Sequence, residues 1–115
     1  MAIDLMQTLD IIEALENYIY KIRPPEEIRD QVDIAYKIEK QSVIIFEIRP
    51  RWNNPKEIME SPIAKTTFVK TQQHWNVFWM RADSKWHTYQ PEPFVKTIKQ
   101  FVDLVEEDKH QCFWG

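Results

Sequence analysis

Leu5, Leu9, Ile12, Leu15, Ile19 and Ile22 recur at steps of four, three, three, four and three, which places them on one helical stripe. Asp4, Asp10, Glu13, Glu16 and Asn17 fall largely on the other side. The pattern predicts an amphipathic helix packed on a core. Pro24 and Pro25 end it, because a proline has no N–H to donate and disfavours helix in the residue before it. Pro25 can open a short further turn through Glu26, Glu27, Ile28 and Arg29. From Val32 the period becomes two. Val32, Ile34, Tyr36 and Ile38 alternate with Asp33, Ala35, Lys37 and Glu39, so one face is buried and the other wet. In the next run Ile44, Phe46 and Ile48 oppose Val43, Ile45, Glu47 and Arg49. A hairpin with a three-residue loop sets Tyr36 against Phe46 and Ile34 against Ile48, whereas a two-residue loop at Lys40 and Gln41 mixes the faces, so alternation favours the longer loop.

Residues 50–63 read as a connection between Pro50 and Pro62. Asn54, Pro55 and Glu57 within it resemble a helix start, and Trp52 is expected to pack over the sheet edge. The stretch from Lys65 to Tyr89 predicts a three-stranded meander with turns near Gln72 and Gln73 and at Asp83 and Ser84. Two-residue turns put Phe68 opposite Val77, Thr66 opposite Trp79 and Arg81 opposite Trp86. A three-residue second turn would place Arg81 against Lys85, a destabilising like-charge pair. On that register Ala64, Phe68, Trp75, Val77, Trp79 and Trp86 share the core face. Lys65, Thr67, Val69, His74, Asn76, Phe78, Met80, His87 and Tyr89 share the outer one. A second helix is predicted from Pro93 through Phe94, Ile98, Phe101, Val102 and Val105. Its last turn, Glu106, Glu107 and Asp108, has the wrong sign for a helix C-terminus. The tail from Lys109 to Gly115 holds Phe113 and Trp114 and is expected to fold back onto the body. The predicted class is α+β: a five-stranded, mainly antiparallel sheet with the N- and C-terminal helices packed on one face.

A length of 115 residues suits one domain, spanning 1–115, with a real core. Cys112 is the only cysteine and cannot pair within the chain, and the start of the sequence does not resemble a signal peptide, so a cytoplasmic address is expected. No apolar run approaches the roughly 20 residues that cross a bilayer, and no membrane partner is expected. Net charge is −3, which gives no overall drive onto nucleic acid. Gly115 is the only glycine, which excludes phosphate loops and dinucleotide turns.

Arg49-Pro50-Arg51-Trp52, the set Trp75, Trp79, Arg81, Ala82, Asp83, Trp86, His87 and Tyr89, and the terminal Cys112-Phe113-Trp114-Gly115 resemble the family known as domain of unknown function 3024. The likeness spans nearly the whole chain. It implies a bacterial single-domain protein and brings no activity, cofactor or site residue with it.

Candidate chemistry therefore comes from the outer sheet face. Ile45, Val69, Phe78, Met80 and Tyr89 would form an apolar patch rimmed by Glu47, Arg49, Lys65, His74 and His87, the kind of surface that meets a partner, a ligand or a covering segment. The tail with Phe113 and Trp114, or the loop with Trp52, would be such a cover. The leading expectation is a non-enzymatic binding or self-association module, with a homodimer as one form. Single-stranded nucleic acid on the same face is the alternative: Phe78 and Tyr89 would stack bases, and Arg49, Lys65 and Lys70 or Arg81 would meet phosphates. An exposed Trp52 beside Arg51 would be a further stacking site.

An enzyme reading would use Glu47 and His87 as carboxylate and base, as in a hydrolase or nuclease, with Ser42, Ser61 and Ser84 as the available serine nucleophiles, all expected in turns. His110 and Cys112, with His74 or His87, are the only metal-ligand candidates, one pair short of a closed zinc site. No cofactor is expected.

Overall fold

The computed structural model describes residues 3–114. Its elements run α1 (Leu5–Ile22), a 3-10 turn (Glu26–Ile28), β1 (Asp33–Glu39), β2 (Ser42–Arg51), β3 (Asn54–Val69), β4 (His74–Met80), β5 (Trp86–Thr88), β6 (Phe94–Val95) and α2 (Ile98–Glu107). The strands form one antiparallel sheet in the order β1-β2-β3-β4-β5, with the two-residue β6 also on β4. Both helices cover one sheet face, so the α+β arrangement is the one that the periodicities imply.

Capping boxes open both helices. Asp4 Oδ1 accepts from the Gln7 N–H (2.8 Å), and Thr97 Oγ1 accepts from the Gln100 N–H (3.2 Å). The second box starts α2 at Ile98, later than the Pro93 start expected. Phe94 and Val95 extend along β4 instead. On α1 the buried stripe is Ile11, Leu15, Tyr18 and Ile19, while Leu5, Leu9 and Ile12 face solvent. Ile11, Leu15 and Tyr18 have the same i, i+4, i+7 spacing as the stripe that the pattern favoured, so periodicity alone does not choose between the two.

Three registers differ from expectation. β1 and β2 join by a two-residue loop, which pairs Tyr36 with Ile45 and Ile34 with Glu47. Val43, Ile44, Ile45 and Phe46 are all buried, so β2 is apolar on both faces and its alternation carries no information about side. β3 and β4 pair Phe68 with Trp75 and Thr66 with Val77, two residues from the expected register. A shift of two leaves every side chain on its expected face. The β4–β5 turn has three residues, with Met80 opposite Trp86 and Trp79 opposite His87. This moves Trp86 outward and brings His87 and Tyr89 to the helix side. The Arg81–Lys85 juxtaposition is tolerated because Arg81 stacks on Trp79 (5.5 Å) and Asp83 Oδ1 accepts from the Lys85 N–H (3.0 Å).

The core beneath the helices gathers Val43, Ile45, Ala64, Phe68, Trp75, Val77 and Tyr89 against Leu15, Phe101 and Val105. Thr66 is fully buried among them and satisfies its hydroxyl on the Asn76 carbonyl (2.9 Å). The tail closes this core. Phe113 packs on Tyr89 (4.9 Å), and Trp114 Nε1 donates to the Tyr18 hydroxyl (3.1 Å). Gly115 lies outside the described residues. The acidic end of α2 now has a purpose: Glu106 pairs with Lys21 of α1 (3.2 Å), and Asp108 accepts from the Phe113 and Trp114 N–H groups (3.0 and 2.9 Å).

Corners are built without glycine. Lys40, Gln73, Ser84, Asp108 and Gln111 all adopt positive φ. The expected helical connection over 50–63 is absent. β2 and β3 continue past their neighbours as a two-stranded arm, turned at Trp52 and Asn53.

Burial, reinforced by the hydrogen bond that its hydroxyl donates to Glu16 Oε1 (3.0 Å), pushes the Tyr36 phenol up to about 12. A raised phenol stabilises the fold fully below the ordinary value of 10.0, and the contribution is lost as pH rises from there to about 12. Burial also raises Tyr18 and Tyr89, so an ultraviolet absorbance titration should show a late tyrosine phase that loses one tyrosine in Tyr36→Phe and that Glu16→Gln brings partly earlier.

Candidate functional site

The outer face of the sheet, opposite both helices, is where the expected binding residues partly meet. In an antiparallel ladder directly opposed residues share a face. Lys65 opposes Phe78 and Ile44, Val69 opposes His74, and Met80 opposes Trp86, which places all of these on the outer side. Lys65 Nζ sits over two rings, 5.7 Å from the Phe78 centroid and 5.8 Å from Trp86. A second ammonium, Lys37, lies over Phe46 (5.2 Å) and reaches Glu60 (3.2 Å). Ammonium groups over aromatic faces are held by the ring quadrupole, and their aliphatic stems shield apolar surface from water. Phe78, Met80, Trp86 and Val69 are only half-buried on this face.

Other expected members are elsewhere. Ile45 is 0% exposed and Tyr89 2%, both in the core, because the two hairpin registers turn them inward. Arg49 is on the arm, on the helix side of β2, with its guanidinium on Glu47 Oε2 (2.9 and 2.8 Å). His87 is at the sheet margin on the helix side and hydrogen-bonds Asp83 Oδ2 through Nε2 (2.8 Å). That bond is the main reason the Asp83 carboxyl is held below the usual carboxylate range, with the Lys85 N–H adding to it.

Glu47 and His87 do not form a catalytic pair. β3 and β4 lie between their strands, a separation of about 14 Å at the usual strand spacing. Ser42 is bonded to Thr67 (2.7 Å) and Ser61 lies within β3, so only Ser84 keeps its expected place in a turn. The Cys112 thiol points to the His110 carbonyl oxygen (3.7 Å), while the His110 ring meets the edge of Tyr89 (6.3 Å). Among the described residues, no three His, Cys, Asp or Glu side chains cluster to hold a metal.

Neither expected cover lies on the outer face. The tail inserts on the helix side, and Trp52 stands at the arm tip, 92% exposed. Trp86 is the outer-face member that the periodicity missed. Its signal was Asp83-Ser84 itself: a three-residue turn with Ser84 at φ 63 shifts β5 by one residue.

Two further features could bind something. A groove of about 500 Å³ runs between α1 and α2 over Phe68 and Trp75, rimmed by Lys21, Lys99, Asp103 and Glu106. Lys21 is paired with Glu106 and Lys99 with Asp103, and Lys96, Asp10 and Glu13 add charge of both signs, so no single charge converges there. On the other side of α1, Leu5, Met6, Leu9 and Ile12 form an exposed apolar stripe near the outer edge of β1, to which Glu16 and Tyr36 tie it.

The chain belongs to the DUF3024 family, described as a domain of unknown function, whose model matches residues 4–115. No curated protein and no solved structure matches it. No helix among the described residues is long and apolar enough to cross a membrane.

Proposed function

We propose, for this member of a family whose description assigns no activity, a non-enzymatic binding module that works in the bacterial cytoplasm through the outer sheet face around Lys65. The observation that carries the reading is the uncovered face. Helices and tail occupy the opposite side, and Phe78, Met80 and Trp86 are left only half-buried about one ammonium group. The lone cysteine, which has no partner in the chain, supports the compartment.

Single-stranded nucleic acid is the occupant that this chemistry favours. Two ring faces can take bases, and Lys65 can turn from the rings to a phosphate. A second copy on the same face would bring Lys65 of each chain towards the other across a two-fold axis. Self-association is better served by α1, where the exposed Leu5, Met6, Leu9 and Ile12 adjoin the unpaired edge of β1.

A labelled single-stranded oligonucleotide should bind at low salt and weaken as salt rises. Combining Lys65→Gln with Trp86→Ala should reduce affinity about tenfold or more, with the unfolding midpoint little changed. A flat titration with both DNA and RNA, alongside a dimer in light scattering that Leu9→Asp dissociates, would replace this reading by self-association through α1.

A further inference from the structure

The β2–β3 arm presents a tryptophan that contributes nothing to the core. Residues 49–51 have no strand on the β1 side and residues 54–63 none on the β4 side, since β1 pairs β2 only as far as Ile48 and β4 pairs β3 only from Ala64. At the turn, Trp52 is the most exposed of the large hydrophobic residues among those described. An indole held in water at a hairpin tip is explained by what it meets, not by what it packs on.

The tip itself carries only cations, and the acids that brace them lie at its base. From Arg49 to Lys56 the chain carries Arg49, Arg51 and Lys56 and no acid, in a protein of net charge −3. Glu47 holds Arg49 and Glu57 Oε2 holds Arg51 Nε (3.1 Å), each by one edge of the guanidinium, so both forks are oriented and keep further N–H groups to offer. A hollow of about 420 Å³ beside the indole is lined by Gln31, Arg49, Arg51, Asn53 and Met59. That is the size range of a small-ligand site. Asn53 and Gln31 bring amides able to donate and accept, and Met59 brings an apolar floor.

We infer that the arm tip is a nucleic-acid subsite: one unpaired base stacks on Trp52, its edge meets the Asn53 and Gln31 amides, and the flanking phosphates are taken by Arg49, Arg51 and Lys56. The inference rests on the proposed function for its ligand class, but on different residues. An indole with adjacent guanidinium groups suits bases of any identity, because every base has a π face, so the subsite accepts DNA and RNA with little sequence preference.

The test is anisotropy with a labelled oligonucleotide of mixed sequence, as DNA and as RNA, on the full chain. Trp52→Ala should weaken binding about tenfold and Trp52→Phe much less. Arg51→Gln should lower the steepness of the salt dependence by about one phosphate contact. Thermal unfolding serves as the control, and Trp52→Ala should leave it unchanged. Binding that survives Trp52→Ala yet falls with Lys65→Gln and Trp86→Ala overturns the arm subsite and upholds the sheet face. The reverse pattern upholds the arm and removes the sheet face. Absence of binding at low salt, or a Trp52→Ala effect confined to the oligomeric state, overturns the arm subsite.

Discussion

Ile45→Ala should lower the free energy of unfolding by about 2–5 kcal/mol, and Tyr89→Ala by a comparable amount, in a urea titration followed by circular dichroism. Both side chains are enclosed by the helices, and truncation loses their transfer energy and leaves a cavity that close-packed neighbours fill only in part. Phe78→Ala, on the half-buried outer face, should cost less, about 1–2 kcal/mol, because no helix closes over that ring and part of it already meets water. The contrast is large against a total stability of about 5–15 kcal/mol for a domain of this kind. Equal losses for the three variants would mean that β2 and β5 present the opposite faces, and the outer surface would have to be redrawn.

The tail should matter nearly as much. Phe113→Ala is expected to cost about 3–5 kcal/mol, since the ring is buried on Tyr89 although only two residues of the sequence follow it. Asp108→Ala should cost about 2–4 kcal/mol by a different route. It removes a carboxylate that accepts two backbone N–H groups, and it asks alanine to hold a left-handed backbone. Asp108→Asn should lose less than half of that, because asparagine tolerates the same backbone and keeps one acceptor. The measurement is chemical unfolding of the three variants. A loss within about 0.5 kcal/mol for Asp108→Ala, as at an ordinary surface position, would show that the carboxylate does not anchor the tail.

Element types were largely legible in the residues, and sidedness was legible only where one face was polar. Thr66, Phe68, Trp75 and Val77 alternate with polar partners, so their burial could be read even though their register was off by two. The run Val43 to Phe46 has no polar member, and there a preference for pairing Tyr36 with Phe46 had nothing to correct it. Repulsion between Arg81 and Lys85 was a sound local argument that lost to a non-local one, the stacking of Arg81 on Trp79. Asn54-Pro55 reads equally as a helix start and as an unneighboured strand, since a proline is acceptable wherever no ladder needs its N–H. That ambiguity hid the arm, and with it the exposure of Trp52. The cluster at Lys65 survived in part, because Phe78 and Met80 depend only on β3 and β4, whereas Ile45, His87 and Tyr89 depend on the two misread corners.

The corners built from lysine, glutamine, serine and aspartate also shape the chain before it folds. One glycine and seven prolines leave the denatured ensemble with few of the freely rotating joints found in most sequences of this length. Less backbone entropy is surrendered on ordering, which offsets the strain that the five left-handed residues carry in the native state. Stability here is thus partly a property of the disordered polypeptide, and it would not be recovered by grafting the same core contacts onto a glycine-rich backbone.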